Sequence, residues 1–159
     1  MRSDQTIDAI DARLILALNE HPRATTIALA EQIGLSRNTV QARLAKLDRQ
    51  GALAPFERRV DPEALGYPLK AFIVVQVTQS RLAEVSEALV AIPEVLEVHG
   101  LTGPTDLLVH VVATDADHLY GIAGKILASP GVERTNTSLV MRDLVPYRLT
   151  PLLRRIAEG

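Results

Sequence analysis

The sequence predicts an α+β fold in two parts: a helix-turn-helix unit, then a four-stranded sheet with helices on one side. Three observations predict it. From Thr25 to Gly51 apolar residues recur at helical spacing around an interruption at Gly34-Leu35-Ser36. From Lys70 onward the period shortens, and β-branched runs alternate with two helical stripes. Between these regions Asp61-Pro62-Glu63-Ala64-Leu65-Gly66-Tyr67-Pro68 concentrates proline and glycine, the composition of a boundary.

Ile7, Ile10, Leu14 and Leu18 form the stripe of a first helix that ends before Pro22, with Asp8 and Asp11 placed early, where the helix dipole favours acids. Thr25 is set to cap a second helix carrying Ile27, Ala30 and Ile33, and Gly34 supplies its left-handed end. Ala28 stands at the third position of that helix, so a capping box is missing there. Ser36 caps the third helix, whose Val40, Leu44 and Leu47 face inward.

At about 100° per residue, Asn38, Ala42, Ala45 and Arg49 project opposite that stripe, flanked by Thr39 and Lys46. Arg37, Gln41 and Arg43 lie nearer its margins. A solvated polar face is the ordinary reading of one amphipathic helix. Two short helices joined by Gly-Leu-Ser instead favour a reader of the DNA major groove. Amides and guanidinium groups match base edges, alanine meets a thymine methyl, and cations neutralise phosphates. Ser36, Arg37, Asn38, Thr39, Gln41, Ala42, Arg43, Lys46 and Arg49 are thus the candidate DNA-binding set. Ala52 to Val60, with Arg58 and Arg59, resembles a short extended wing, which Pro55 confines to an edge or a broken hairpin.

Beyond the boundary Lys70 to Thr78 reads as a central strand, and Leu82, Val85, Leu89 and Ile92 as a helix. Val95 to Leu101 and Leu107 to Ala113 are strands separated by Thr102-Gly103-Pro104-Thr105-Asp106. Leu119, Ile122, Ile126 and Leu127 mark another helix, and Val132 to Met141 the last strand. The order βαββαβ is that of a ferredoxin-like split βαβ sheet. Expected boundaries are 1–60 for the winged helix-turn-helix domain, 61–68 for a linker, 69–142 for the sheet domain and 143–159 for a C-terminal tail. Ala71 to Val77 and Leu107 to Val112 are apolar on both faces, so the side of the sheet without helices needs a cover. A second copy is the simplest one, giving a homodimer with paired groove-reading helices.

Composition narrows the function. The net charge is −2, with nine Lys and Arg against seven Asp and Glu in residues 1–60 and eight against twelve in 61–159. That asymmetry favours the N-terminal part as the partner of an anion, through local patches rather than bulk charge. Cysteine is absent, which fits a reducing compartment and removes thiolate metal sites. No apolar run has the character of a signal peptide or the length of a membrane span, so a cytoplasmic protein without membrane association is expected. His21, His99, His110 and His118 are scattered, and no nucleophile and base pair, phosphate loop or metal-ligand cluster stands out. No enzyme activity and no cofactor are expected.

Over nearly its full length the sequence resembles the Lrp/AsnC, or feast/famine, family of transcription regulators. Asp8-Ala9-Ile10-Asp11 through Leu16 resembles the family's opening helix, and Leu29-Ala30 through Leu35-Ser36 to Gln50-Gly51 its helix-turn-helix. Asp61-Pro62 with Leu65-Gly66-Tyr67 matches the linker. Pro93-Glu94-Val95, Leu101-Thr102-Gly103, Asp106-Leu107-Leu108 and Gly131-Val132 match the regulatory (RAM) domain.

The resemblance implies sequence-specific binding of double-stranded DNA and homodimers that assemble further, to tetramers or octamers. It also implies a small effector, commonly an amino acid, bound between regulatory domains. Carried over by position, the effector loop is His99, Gly100, Leu101, Thr102, Gly103, Pro104, Thr105 and Asp106, with Asp106 an acceptor for an α-ammonium group. Ordinary turn chemistry also accounts for that loop. Thr135 to Ser138 are weaker candidates for lining the pocket. Two other readings share the plan: an enzyme similar to sirohaem decarboxylases, and an effector-binding protein that has lost DNA binding.

Overall fold

The computed structural model describes residues 7–159, so the first six residues of the domain expected over 1–60 lie outside the described part. The chain divides into two compact units. One runs to Phe56 and also includes Val145–Gly159; the other is Glu57–Leu144.

In the first unit α1 spans Ala9–Glu20. Asp8 is its N-cap: the carboxylate accepts from the Asp11 backbone N–H at 2.8 Å, and the Asp11 carboxylate accepts from the Asp8 N–H at 3.5 Å. The two acids expected to suit the dipole therefore also form a reciprocal capping box. Helix α2 spans Thr26–Ile33, begun by Thr25, whose Oγ1 accepts from the Ala28 N–H at 3.2 Å. Gly34, at φ 72°, turns the chain out of α2 in a conformation that a Cβ would strain. Helix α3 spans Arg37–Arg49 behind Ser36, whose Oγ accepts from the Thr39 N–H at 3.1 Å.

Leu14, Ala17, Leu29, Ala30, Val40 and Leu47 fill the space between these helices, with Leu44 and Leu53 packed at the edge. Burying each of the leucines and the valine contributes about 1.5–3 kcal/mol. The segment expected as a tail is ordered. After α4 (Leu82–Val90) and α5 (Ala116–Leu127) of the second unit comes α6, Thr150–Glu158, which lies against α1 and buries Leu153.

The expected wing is corrected. Residues 52–60 hold no strand; Phe56–Arg59 is a single 3-10 turn, closed by the Val60 N–H donating to the Glu57 carbonyl. Pro55 brings no N–H to a ladder, and Glu57-Arg58-Arg59 lacks the alternation that would give a strand a buried face. In the linker, Asp61 caps a second 3-10 turn over Pro62–Leu65.

The second unit holds β1 (Leu69–Val77), α4 (Leu82–Val90), β2 (Val95–Gly100), β3 (Leu107–Ala113), α5 (Ala116–Leu127) and β4 (Val132–Leu139). The sheet is antiparallel throughout, in the order β2-β3-β1-β4, as the βαββαβ reading requires. Register sets Ala71, Ile73 and Val75 opposite Val111, Val109 and Leu107, and these pack with Val85 and Leu89 of α4 and with Ile122 and Ile126 of α5. Gly131 precedes β4 at φ 92°, where a Cβ would lie 2.9 Å from that of Arg81, so glycine is required by both conformation and space.

The opposite face shows Lys70, Phe72 and Val74 paired with Val112, His110 and Leu108. No helix of this unit covers it. Among the described residues no helix is long and apolar enough to cross a membrane.

Candidate nucleic-acid interface and small-molecule pocket

The Gly34 turn presents the N-terminal half of α3. Ser36, Arg37, Asn38, Thr39, Gln41 and Ala42 are exposed there, as is Arg49 at the far end. The Ser36 and Thr39 hydroxyls lie 2.8 Å apart in the cap, which fixes the start of the helix. Among the described residues no hydrogen bond or ion pair engages the side chains of Arg37, Asn38 or Gln41, which leaves their amide and guanidinium groups available to a partner.

Arg43 and Lys46 are placed differently. Arg43 Nη1 donates to Asp8 at 2.7 Å and to Asp11 Oδ1 at 2.6 Å, and Lys46 Nζ lies 3.4 Å from Asp11 Oδ2. Asp11 is fully buried, so these cations answer a carboxylate that water does not reach. The hydrogen bond from Arg43 holds the Asp8 carboxyl below its ordinary range, and the same contact raises the Arg43 guanidinium. Arg43 is thus a tie between α1 and α3 and stands apart from the exposed polar face. The signal was present in the sequence, since Asp-x-x-Asp at a helix start needs a cation once one of its acids is buried.

In the sheet unit a cavity of about 330 Å³ is lined by Val74, Gln76, Pro104, Thr105, Arg134, Thr135 and Asn136. The register that sets Gln76 opposite Arg134 and Val74 opposite Asn136 builds its floor. The β2–β3 loop supplies Pro104, whose carbonyl accepts from Gln76 Nε2 at 2.9 Å. A volume near the lower end of the small-molecule range suits a ligand of amino-acid size.

Of the eight loop residues expected to bind an effector, Pro104 and Thr105 line this cavity. His99 and Gly100 belong to β2, and His99 Nε2 lies 3.4 Å from Glu97. Leu101 donates its N–H to the Asp106 carbonyl at 2.7 Å, and Thr102 and Gly103 are exposed at the loop tip. Asp106 is committed to the fold: Oδ2 accepts from the Val77 N–H at 2.8 Å and Oδ1 from Gln79 Nε2 at 2.5 Å. Those bonds fasten the loop to the end of β1 and leave Asp106 outside the lining. Thr135 and Asn136 are in the lining, as the weaker expectation placed them. Val74, Gln76 and Arg134 were missed, because only the register between β1 and β4 brings them together. Among the described residues no cluster of His, Cys, Asp and Glu is arranged to hold a metal.

Nearer the β2 edge of the same face, His110 stacks on Phe72 with ring centroids 4.8 Å apart, and its Nε2 is buried without a hydrogen-bond partner. Burial lowers its pKa, opposed by Glu97 and reinforced by Lys70 and His99. Glu97 in turn pairs with Arg58.

Comparison with known proteins gives the family of both domains. Residues 7–48 match the model of the AsnC-type helix-turn-helix domain, and residues 70–150 that of the Lrp/AsnC ligand binding domain. The HTH-type transcriptional regulator FL11 of Pyrococcus horikoshii is 34% identical over 136 residues, covering 86% of this chain and 90% of that one. The structure of E. coli AsnC superposes with a TM-score of 0.82 at 25% identity, covering 92% of this chain and 99% of the other. A feast or famine regulatory protein from M. tuberculosis, solved with L-methionine, superposes with a TM-score of 0.79 at 28% identity, covering 91% and 98%.

Proposed function

The chain belongs to the Lrp/AsnC family of transcription regulators, and from that premise we propose how its parts divide the work. It is a DNA-binding regulator without enzymatic activity, acting in the cytoplasm. Arg37, Asn38, Gln41 and Ala42 read base edges in the major groove, while Ser36, Thr39 and Arg49 face the backbone. Arg43 and Lys46 support this face by fixing α3 on α1. The observation that carries the reading is the exposure of Arg37, Asn38, Gln41 and Ala42 at the start of α3, with the side chains of Arg37, Asn38 and Gln41 unengaged among the described residues.

A second copy covers the sheet face that carries Phe72, Val74, Leu108 and His110, which pairs two reading helices and sets half-sites a whole number of DNA turns apart. Further assembly of such dimers fits the family. A small carboxylate effector of the amino-acid kind occupies the cavity between the β2–β3 loop and β4 and adjusts assembly or spacing; the relative solved with L-methionine supports an effector of that size.

In vitro selection of bound DNA should return a palindromic site. Against it Arg37→Ala and Asn38→Ala should each lose tenfold or more in affinity, in keeping with about 1–3 kcal/mol per bidentate base contact. Selected and random DNA bound equally well, by both the wild type and the variants, would refute the face assignment.

A further inference from the structure

The cavity beside β4 carries one kind of charge. Arg134 is its cation, and none of its other lining residues, Val74, Gln76, Pro104, Thr105, Thr135 and Asn136, is acidic. Among the described residues no acid pairs with Arg134. Glu133, its neighbour in the chain, accepts from Thr78 Oγ1 at 2.8 Å, and Asp106 of the adjoining loop holds the Val77 N–H and the Gln79 amide. The unit as a whole has seven Lys and Arg against twelve Asp and Glu, but charges beyond about 8–10 Å are screened at physiological salt. The local field in the cavity is set by Arg134.

A free guanidinium suits a planar carboxylate through two parallel N–H···O bonds. The remaining polar groups are neutral. Gln76 already donates one N–H to the Pro104 carbonyl, and Thr105, Thr135 and Asn136 add hydroxyl and amide groups that serve equally as donors and acceptors. An α-ammonium placed here would meet no opposite charge among the lining residues, whereas a carbonyl or hydroxyl at the same carbon would be answered by the amides and hydroxyls.

We propose that Arg134 is the specificity-determining residue of this pocket and that it selects small 2-oxo and 2-hydroxy carboxylic acids at least as strongly as the corresponding amino acids. This rests on the reading of the cavity as the effector site and names the ligand class it takes. The regulator would then report the level of a deaminated acid, or the balance between that acid and its amino form, rather than the amino acid alone.

Calorimetric titration of the full chain tests this with matched pairs: L-alanine and pyruvate, L-leucine and 4-methyl-2-oxopentanoate, L-methionine and 4-methylthio-2-oxobutanoate. At least one 2-oxo acid should bind as tightly as its amino acid or more tightly, and Arg134→Gln should weaken it tenfold or more while far-ultraviolet circular dichroism stays unchanged. Amino acids bound at least tenfold more tightly than every 2-oxo partner would overturn the proposal and leave the effector site standing. Binding unchanged in Arg134→Gln would likewise remove Arg134 and keep the site in the sheet unit. Absence of heat with all six compounds would overturn both the proposal and the effector reading.

Discussion

The two units dispose of their charged groups in opposite ways. In the helical unit, residues 7–56 with 145–159 carry nine Lys and Arg against six Asp and Glu, yet Asp8 and Asp11 draw Arg43 and Lys46 away from the exposed face of α3. In the sheet unit acids are in the majority, yet Asp106 and Glu133 are held by the chain and among the described residues no acid pairs with Arg134. A unit with excess cations thus immobilises two of them in its own fold, and a unit with excess anions exposes a cation where a ligand would sit. Charge available to a partner is decided by pairing and burial, which a count of residues does not register.

Breaking the tie in the helical unit should have the largest effect on stability. Arg43→Ala would leave the fully buried Asp11 with Lys46 at 3.4 Å as its remaining cation, for an expected loss of about 2–3 kcal/mol by urea unfolding. Reduced DNA affinity with unchanged unfolding would instead return Arg43 to the groove. Leu153→Ala examines the claim that the chain's last segment belongs to this unit. It should cost about 2 kcal/mol, because Leu153 is the buried residue through which α6 sits on α1; an unchanged midpoint would make the segment an ornament.

The smallest effect lies in the sheet unit and concerns pH. Burial depresses the His110 pKa below its ordinary value of 6.5, so the unfolded chain takes up the proton first. Stability should therefore fall as pH drops below about 6.5 and should rise again toward neutrality. Glu97, His99, Lys70 and Asp143 contribute to the field at this ring. His110→Phe should flatten the pH dependence of thermal unfolding between about 6.5 and 5, and an undiminished slope would show that another group sets it.

Much of this architecture is legible in the sequence. Gly34 between two apolar stripes, Ser36 before a third helix, and the change from helical to strand periodicity at Lys70 each carry local chemistry that permits few alternatives. Strand β3 lies where its apolar run places it, and β4 falls two residues short of the expected Met141. The wing was misjudged because a short basic stretch between a glycine and the linker reads as extended with Pro55 merely weakening its pairing, whereas the chain closes there into a 3-10 turn. Helix α6 was missed because a nine-residue amphipathic segment behind Pro146, with Pro151 in its first turn, is marginal by itself and becomes a helix against α1.

By itself the sequence determined the two-part fold, the order of its strands and the polar face of the third helix. Those follow from periodicity, caps and turn residues, which act over a few positions of chain. Tertiary structure decided which of the functional side chains remain free. Asp11 buried beside Arg43, Asp106 bound to the end of β1, and Gln76 set across from Arg134 are pairings between residues 29 to 58 positions apart in the chain. Only packing and strand register bring such residues into contact, so the assignment of Arg43 to the scaffold and of Arg134 to the pocket had to await the fold.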